Sequence, residues 1–319
     1  MISTFLIIII GLSVFALFVT AALSPIETLS WWAGWTEREI SGEDIEDDGG
    51  DPAAKIAAHK SDDHLYVVYL SGIASISGRF LLPRELAFIK GLKSRLPDAT
   101  IIADVFPYSP AGLPLLAAPR AFDRLWRRVQ KIKLTGKSTI LAVLINMRNV
   151  FQVMVSADHR YGPIFNQGAA DVIEQALLRH GYKRGSNAPV AIIGYSGGAQ
   201  IAIGATPFLT ARLGAPIDVV SIGGVMASDP GLHFLRRLHC FIGEKDNVRK
   251  IGGAMFPERW SIMAHSEWNA AKHDGRIVEH SIPEMKHAGA KGYFGLIKIG
   301  EKRNNERTQE LVESVLSAG

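Results

Sequence analysis

PVAIIGYSGGAQIA, running from Pro189 to Ala202, joins two apolar segments through Gly194, Tyr195, Ser196, Gly197 and Gly198. Pro189 to Ile193 is short, apolar and reads as a strand, whereas Gly197 to Leu213 reads as a helix that Pro207 should bend or divide. Between them lies G-x-S-x-G, the pattern that sets a serine on a sharp strand-to-helix turn. Glycines on either side let strand and helix approach closely. The Ser196 hydroxyl is then presented outward. The backbone N–H of Gly197, at the helix start, faces the place where negative charge would develop on a reacting oxygen. Five residues of this kind recur by chance. The strand before and the helix after distinguish a nucleophile elbow from a glycine-rich turn that merely links two elements.

Outward from this stretch the chain alternates strand and helix patterns. Strand-like runs are His64 to Leu70, Thr100 to Phe106, Ile217 to Ile222, Leu238 to Ile242 and Arg276 to Ile282. Helical spacing is found over Glu85 to Leu96, Ala169 to His180 and Thr308 to Leu316. Strands separated by helices predict an α/β fold with a mostly parallel central sheet flanked by helices on both faces. Lys137 to Ala157 holds two apolar runs broken by Arg148 and Asn149. That break favours a buried helix or strand over a second membrane span. The basic run Arg124, Arg127, Arg128, Lys131, Lys133 and Lys137 reads as a solvated helix face, with contact to anionic headgroups the alternative. Gly136-Lys137-Ser138-Thr139 is not a phosphate loop, because the glycine required at position 131 is a lysine.

At 319 residues and 47% apolar, the chain can bury one large core. Its formal charge of +4 does not point to nucleic acid. The single cysteine, Cys240, excludes an intrachain disulfide and a thiolate metal cluster, and its apolar surroundings predict a buried thiol. From Phe5 to Leu23 the sequence FLIIIIGLSVFALFVTAAL carries no charge. A helix of that length rises about 28 Å, close to the hydrocarbon thickness of a bilayer. No Lys or Arg precedes it, which favours a retained single-pass transmembrane anchor over a cleaved signal peptide. Trp31, Trp32 and Trp35 follow and suit the interface. The acidic, turn-rich Gly42 to Pro52 reads as a solvated linker. The expected organisation is an anchor over 1–24, an interfacial segment and linker over 25–60, and a folded domain over 61–319.

The elbow occurs together with QVMVSADHRYGPIFNQG, VSIGGV, FIGEKDNV, FPERW and MKHAGAKGYF. Across most of the chain after residue 60, these segments resemble the α/β-hydrolase superfamily. More narrowly, they resemble an uncharacterised group of bacterial membrane-associated α/β-hydrolase-like proteins. The resemblance implies the chain order nucleophile, acid, histidine. Asp246 follows the Leu238 to Ile242 strand and is the favoured acid; Asp229 is its rival, though with Pro230 and Gly231 it could instead begin a turn. His287, in a loop of small residues beyond the last strand, is the favoured histidine, with His280, His265, His273 and His239 as alternatives. The resemblance also implies a second oxyanion donor, the N–H of Ile73, with Gly72 permitting the turn. Ser71 stands where a histidine is frequent, a change that leaves backbone donation intact.

What the resemblance implies is hydrolysis of an acyl ester by Ser196, His287 and Asp246 through an acyl-enzyme. The membrane segment makes a lipid-like substrate the natural expectation. Amide, thioester and peptide substrates, and acyl transfer, fit the same residues. The competing class is a non-catalytic, membrane-tethered interaction or structural module, since a fold alone does not establish activity. No H-E-x-x-H zinc pattern occurs, and the chemistry calls for neither metal nor other cofactor. Expected partners are membrane lipids and a small-molecule or lipid-like acyl substrate, not nucleic acid. Residues 107–163 have the length of a cap insertion, and Asp158 to Tyr161 could line a pocket there. Trp260 and Trp268 are expected in the core, with a substrate-facing role the alternative.

Overall fold

Strand β1 (Tyr66–Leu70) is buried at every residue, as a strand must be when both its faces are covered. It sits inside a six-stranded sheet of order β2–β1–β3–β4–β5–β6. The others are β2 (Thr100–Val105), β3 (Val190–Tyr195), β4 (Ile217–Ile222), β5 (Arg237–Gly243) and β6 (Ile277–Ile282). Every neighbouring pair is parallel, so all six strands deliver their C-terminal loops to one edge. The computed structural model describes Phe15 and residues 64–75, 81–108 and 140–317. The expected anchor apart from Phe15, the linker and the basic run therefore lie outside the described residues. Among the described residues, no helix is long and apolar enough to cross a membrane.

Period-two alternation divides the strand side chains between two cores. Val68, Leu70, Ile192, Val219 and Leu238 face one side. Their cover is α3 (Gly162–Arg179), α4 (Gly198–Leu213) and α6 (Glu267–His273), through residues such as Ile173, Ile203 and Trp268. Val67, Tyr69, Ile193, Val220 and Phe241 face the other side. There α1 (Pro83–Arg95) and α7 (Asn304–Ser317) supply Phe88, Leu92 and Val312. Each such fully buried aliphatic side chain stabilises the fold by roughly 1.5–3 kcal/mol.

The remaining helices are α2 (Ile140–Ala157) and α5 (Asn247–Met255). Helix α2 runs unbroken through Arg148 and Asn149 and packs Val153 and Val155 against Phe106, Phe165 and Ile201. Of the residues 107–163 expected as a cap insertion, Pro107, Tyr108, α2 and the short turn to Pro163 are described. Helix α3 begins seven residues before the expected Ala169, with Pro163 in its first turn, where a proline's fixed φ is already helical. Pro207 neither divides nor ends α4. The carbonyl it leaves without an N–H, that of Ile203, accepts instead from the Thr206 hydroxyl at 2.6 Å. Two helices lie outside the helical runs read from the sequence. Helix α5 is capped by Asp246 and α6 by Ser266, whose side chains accept from backbone N–H groups of the first turn. Trp268 is buried as expected, but Trp260 is 52% exposed. Its ring lies on the surface of α5, with Nε1 donating to Gly253 O at 2.9 Å.

Candidate active site

Three glycines around Ser196 are set by contact distance. A Cβ on Gly194 would overlap the Ala199 backbone. One on Gly198 would lie 2.7 Å from Leu70 O and 2.8 Å from Ser71 O. One on Gly197 would press on Val153 Cγ2 and Ile73 Cγ2. Strand β3 therefore turns into α4 with almost no space, and the serine takes up the difference at φ 53°. For a residue with a Cβ, this left-handed conformation costs roughly 1–2 kcal/mol. Backbone bonds hold it there. Ser196 N donates to Ile222 O at 3.0 Å, and Ser196 O accepts from Ala199 N at 3.2 Å and Val225 N at 3.3 Å.

At this turn the Ser196 hydroxyl lies 3.0 Å from His287 Nε2. His287 Nδ1 lies 2.9 Å from Asp246 Oδ2. Asp246 leaves the end of β5, and His287 the loop after β6, so the two arrive from neighbouring parallel strands at the same edge as Ser196. The aspartate is buried and fully used. Its Oδ1 accepts from Val248 N and Arg249 N at the start of α5, and its Oδ2 accepts from both His287 and the Tyr293 hydroxyl. Burial pushes its pKa up, but the His287 hydrogen bond and charge, with the Arg249 N–H and Tyr293 hydroxyl, outweigh this. Its carboxyl titrates below the ordinary value. Burial first, and then the Asp246 charge, raise the Tyr293 pKa, so that phenol stays a neutral donor. The same oxygen of Tyr293 accepts from Gly243 N at 2.7 Å.

Tyr195, the variable residue of the elbow, braces the histidine loop. Its hydroxyl donates to His287 O at 2.9 Å, and its ring stacks on the imidazole at 5.5 Å and 21°. Gly72 leaves room for that ring, since a Cβ there would lie 2.8 Å from Tyr195 Cδ1. The loop after β1 thus passes directly over the elbow, with Ile73 beside Gly197. Among the described residues, the Ile73 and Gly197 backbone N–H groups have no protein acceptor. Such a pair can receive an oxyanion.

The alternatives fall elsewhere. Asp229 caps a short 3-10 turn (Pro230–His233), accepting from Gly231 N and Gln200 Nε2, each at 2.8 Å. His280 and His239, on adjacent strands, pair with one another at 3.2 Å, and burial lowers the pKa of both. His265 and His273 are exposed. Asp158 closes its own turn by accepting from Arg160 N and Tyr161 N. Cys240 is buried, and burial pushes its thiol up to about 12. Among the described residues, no three His, Cys, Asp or Glu side chains are grouped as metal ligands. Sequence reasoning did not single out Tyr293 or the two hydrogen bonds of its hydroxyl. Its only signal was its place in MKHAGAKGYF, close after His287.

No protein-family model matches the chain, and no curated protein matches its sequence. Two solved structures of an esterase from Pyrobaculum calidifontis resemble it in outline. The monoclinic form is 10% identical with a TM-score of 0.43, covering 82% of this chain and 78% of that one. A second structure of a hyperthermophilic esterase from this archaeon is 11% identical with a TM-score of 0.41, covering 80% and 74%.

Proposed function

We propose that this protein is a membrane-anchored serine hydrolase of acyl esters, with Ser196 as nucleophile, His287 as base and acid, and Asp246 as the orienting carboxylate. The observation that carries this reading is the hydrogen-bond chain from Ser196 Oγ to His287 at 3.0 Å and from His287 to Asp246 at 2.9 Å. It begins at a serine held in a left-handed turn. His287 Nε2 removes the hydroxyl proton as Oγ attacks the ester carbonyl carbon. The Gly197 and Ile73 N–H groups receive the resulting oxyanion. Collapse breaks the bond to the leaving alkoxide, which takes its proton from His287. Water, activated by the same nitrogen, then releases the acid and restores Ser196. Asp246 holds the Nδ1–H tautomer and stabilises the imidazolium between these transfers. A lipid-like acyl chain is the proposed substrate class, because the uncharged Phe5 to Leu23 segment would keep the domain beside a bilayer.

The test is labelling of the membrane-associated protein with a fluorophosphonate, alongside hydrolysis of a graded series of acyl esters. Ser196→Ala should abolish labelling. Asp246→Ala and His287→Ala should each lower ester turnover by about a thousandfold or more, the scale on which such groups act. A folded wild-type chain that neither labels nor turns over any ester would sink the catalytic reading and leave a tethered interaction module.

A further inference from the structure

The largely apolar helix α2 carries the polar pair Arg148-Asn149, and it lies over the loop that follows β1. Asn149 is fully buried. Its Nδ2 donates to Ile73 O at 2.7 Å and to Ser75 O at 2.9 Å. Gly72 O accepts from Ser75 N at 3.0 Å, and Ser71 O accepts from the Tyr108 hydroxyl at 2.8 Å. Four carbonyls of one short loop are thus held. Arg148 Nη1 ties the two anchors together by donating to Tyr108 O at 3.1 Å. One helical turn beyond Asn149, Val153 packs against Gly197. The same face of α2 therefore bears on both proposed oxyanion donors.

We infer that Asn149, assisted by Tyr108, is a positioning residue that sets the direction of the Ile73 N–H in the oxyanion hole. The inference rests on the serine chemistry proposed above. In a trans peptide the C=O and N–H point opposite ways. Fixing Gly72 O on Ser75 N therefore turns the Ile73 N–H outward from that small turn. Asn149 keeps the turn closed by holding the carbonyls on its far side. An asparagine is needed because one nitrogen must donate twice in a buried place and bring no charge. A leucine would leave two buried carbonyls unsatisfied, and an aspartate would set its oxygens against them. Donors fixed before the reaction stabilise the transition state more than the ground state, so misplacement falls on kcat.

The test compares full-length wild type, Asn149→Asp and Tyr108→Phe on a water-soluble p-nitrophenyl ester and with a fluorophosphonate. Asn149→Asp should lower kcat and the phosphonylation rate together by roughly 10- to 100-fold, with KM changed by less than about threefold. The pH at which kcat/KM rises is read on Tyr108→Phe, which adds no charge, and should not move there, because the Ser196, His287 and Asp246 contacts are intact. Tyr108→Phe should show the same pattern more weakly, and it decides the matter by the same criteria if Asn149→Asp does not fold. Wild-type rates in a folded variant, a change confined to KM, or a displaced pH limb in Tyr108→Phe would each overturn the inference while leaving the hydrolase reading standing. A wild type inert to both reagents would overturn the hydrolase reading first, and this inference with it.

Discussion

Asp246 carries two tasks on one carboxylate. Through Oδ1 it starts α5, and through Oδ2 it holds His287 and Tyr293. Both tasks need the ion rather than the acid, which explains a pKa held below the ordinary 3.8 despite burial. Folding thus weakens proton binding at this site. Its contribution to stability is complete above 3.8, the unfolded value, and is lost as pH falls through the folded value. Urea unfolding from pH 7 to pH 3 should show wild type losing stability more steeply below pH 4 than Asp246→Asn, which has no proton to take up. Parallel curves would mean that the carboxylate is not held as an ion. Tyr293→Phe removes one donor to Oδ2 and so brings the folded carboxyl nearer its ordinary value; the acid loss in that variant should be smaller than in wild type and end at a higher pH. It also leaves Gly243 N without its acceptor, at a cost of about 1–3 kcal/mol at neutral pH.

Among the elements, α4 shows most plainly how a local rule is met by a neighbour. A proline inside a helix removes a bond to the residue four before it, and here that carbonyl belongs to Ile203. The Thr206 hydroxyl takes the place of the missing N–H. Thr206→Val should therefore cost about 1–3 kcal/mol, as expected for a buried carbonyl left without a donor. Adding Pro207→Ala should return only the part of that loss that belongs to Ile203 O, since position 207 regains an N–H while Gly231 O, 2.8 Å from the same hydroxyl, stays without its donor. Thermal unfolding of the two single variants and the double variant measures this. Equal losses in Thr206→Val with and without Pro207→Ala would show that the hydroxyl is not the substitute. The two short helices after β5 depend on caps in the same way. Asp246 and Ser266 each begin a helix by accepting from the backbone N–H groups of its first turn.

At the scale of the whole molecule, the parallel sheet puts the start of the domain at His64 and the proposed site at opposite edges. The chain enters β1 at its N-terminal end near His64, while Ser196, Asp246 and His287 gather beyond the opposite ends of the strands. A five-residue strand puts those two edges about 17 Å apart. Removing residues 1–24 should therefore move the protein from the carbonate-washed membrane pellet to the supernatant. Its kcat/KM on a water-soluble ester should stay within about twofold of the full chain, because Ser196, Asp246 and His287 are all carried by residues after His64. A lipid-like ester presented in vesicles should be turned over more slowly once the tether is gone. A truncated chain that stays in the pellet would show that the segment is not the anchor.

The amino-acid sequence by itself determined the strand–turn–helix around Ser196, the alternation that makes an α/β sheet, and the small set of residues able to serve as acid and base. These are legible because alternation, helical spacing and glycine crowding act over a few neighbouring residues. The tertiary structure decided which members of that set meet. Asp229 and Asp246 both follow strands, yet one turns back to cap its own loop and only the other reaches a histidine. His280 is fixed within β6 and pairs with His239 on β5, whereas His287 lies beyond the strand and reaches Ser196. Tyr293 and Asn149 are marked in the sequence only by place, in MKHAGAKGYF and in the polar break of an apolar run, because their importance lies in contacts with residues far along the chain. Register and packing set the direction of each such side chain, and these depend on all six strands and their covering helices together.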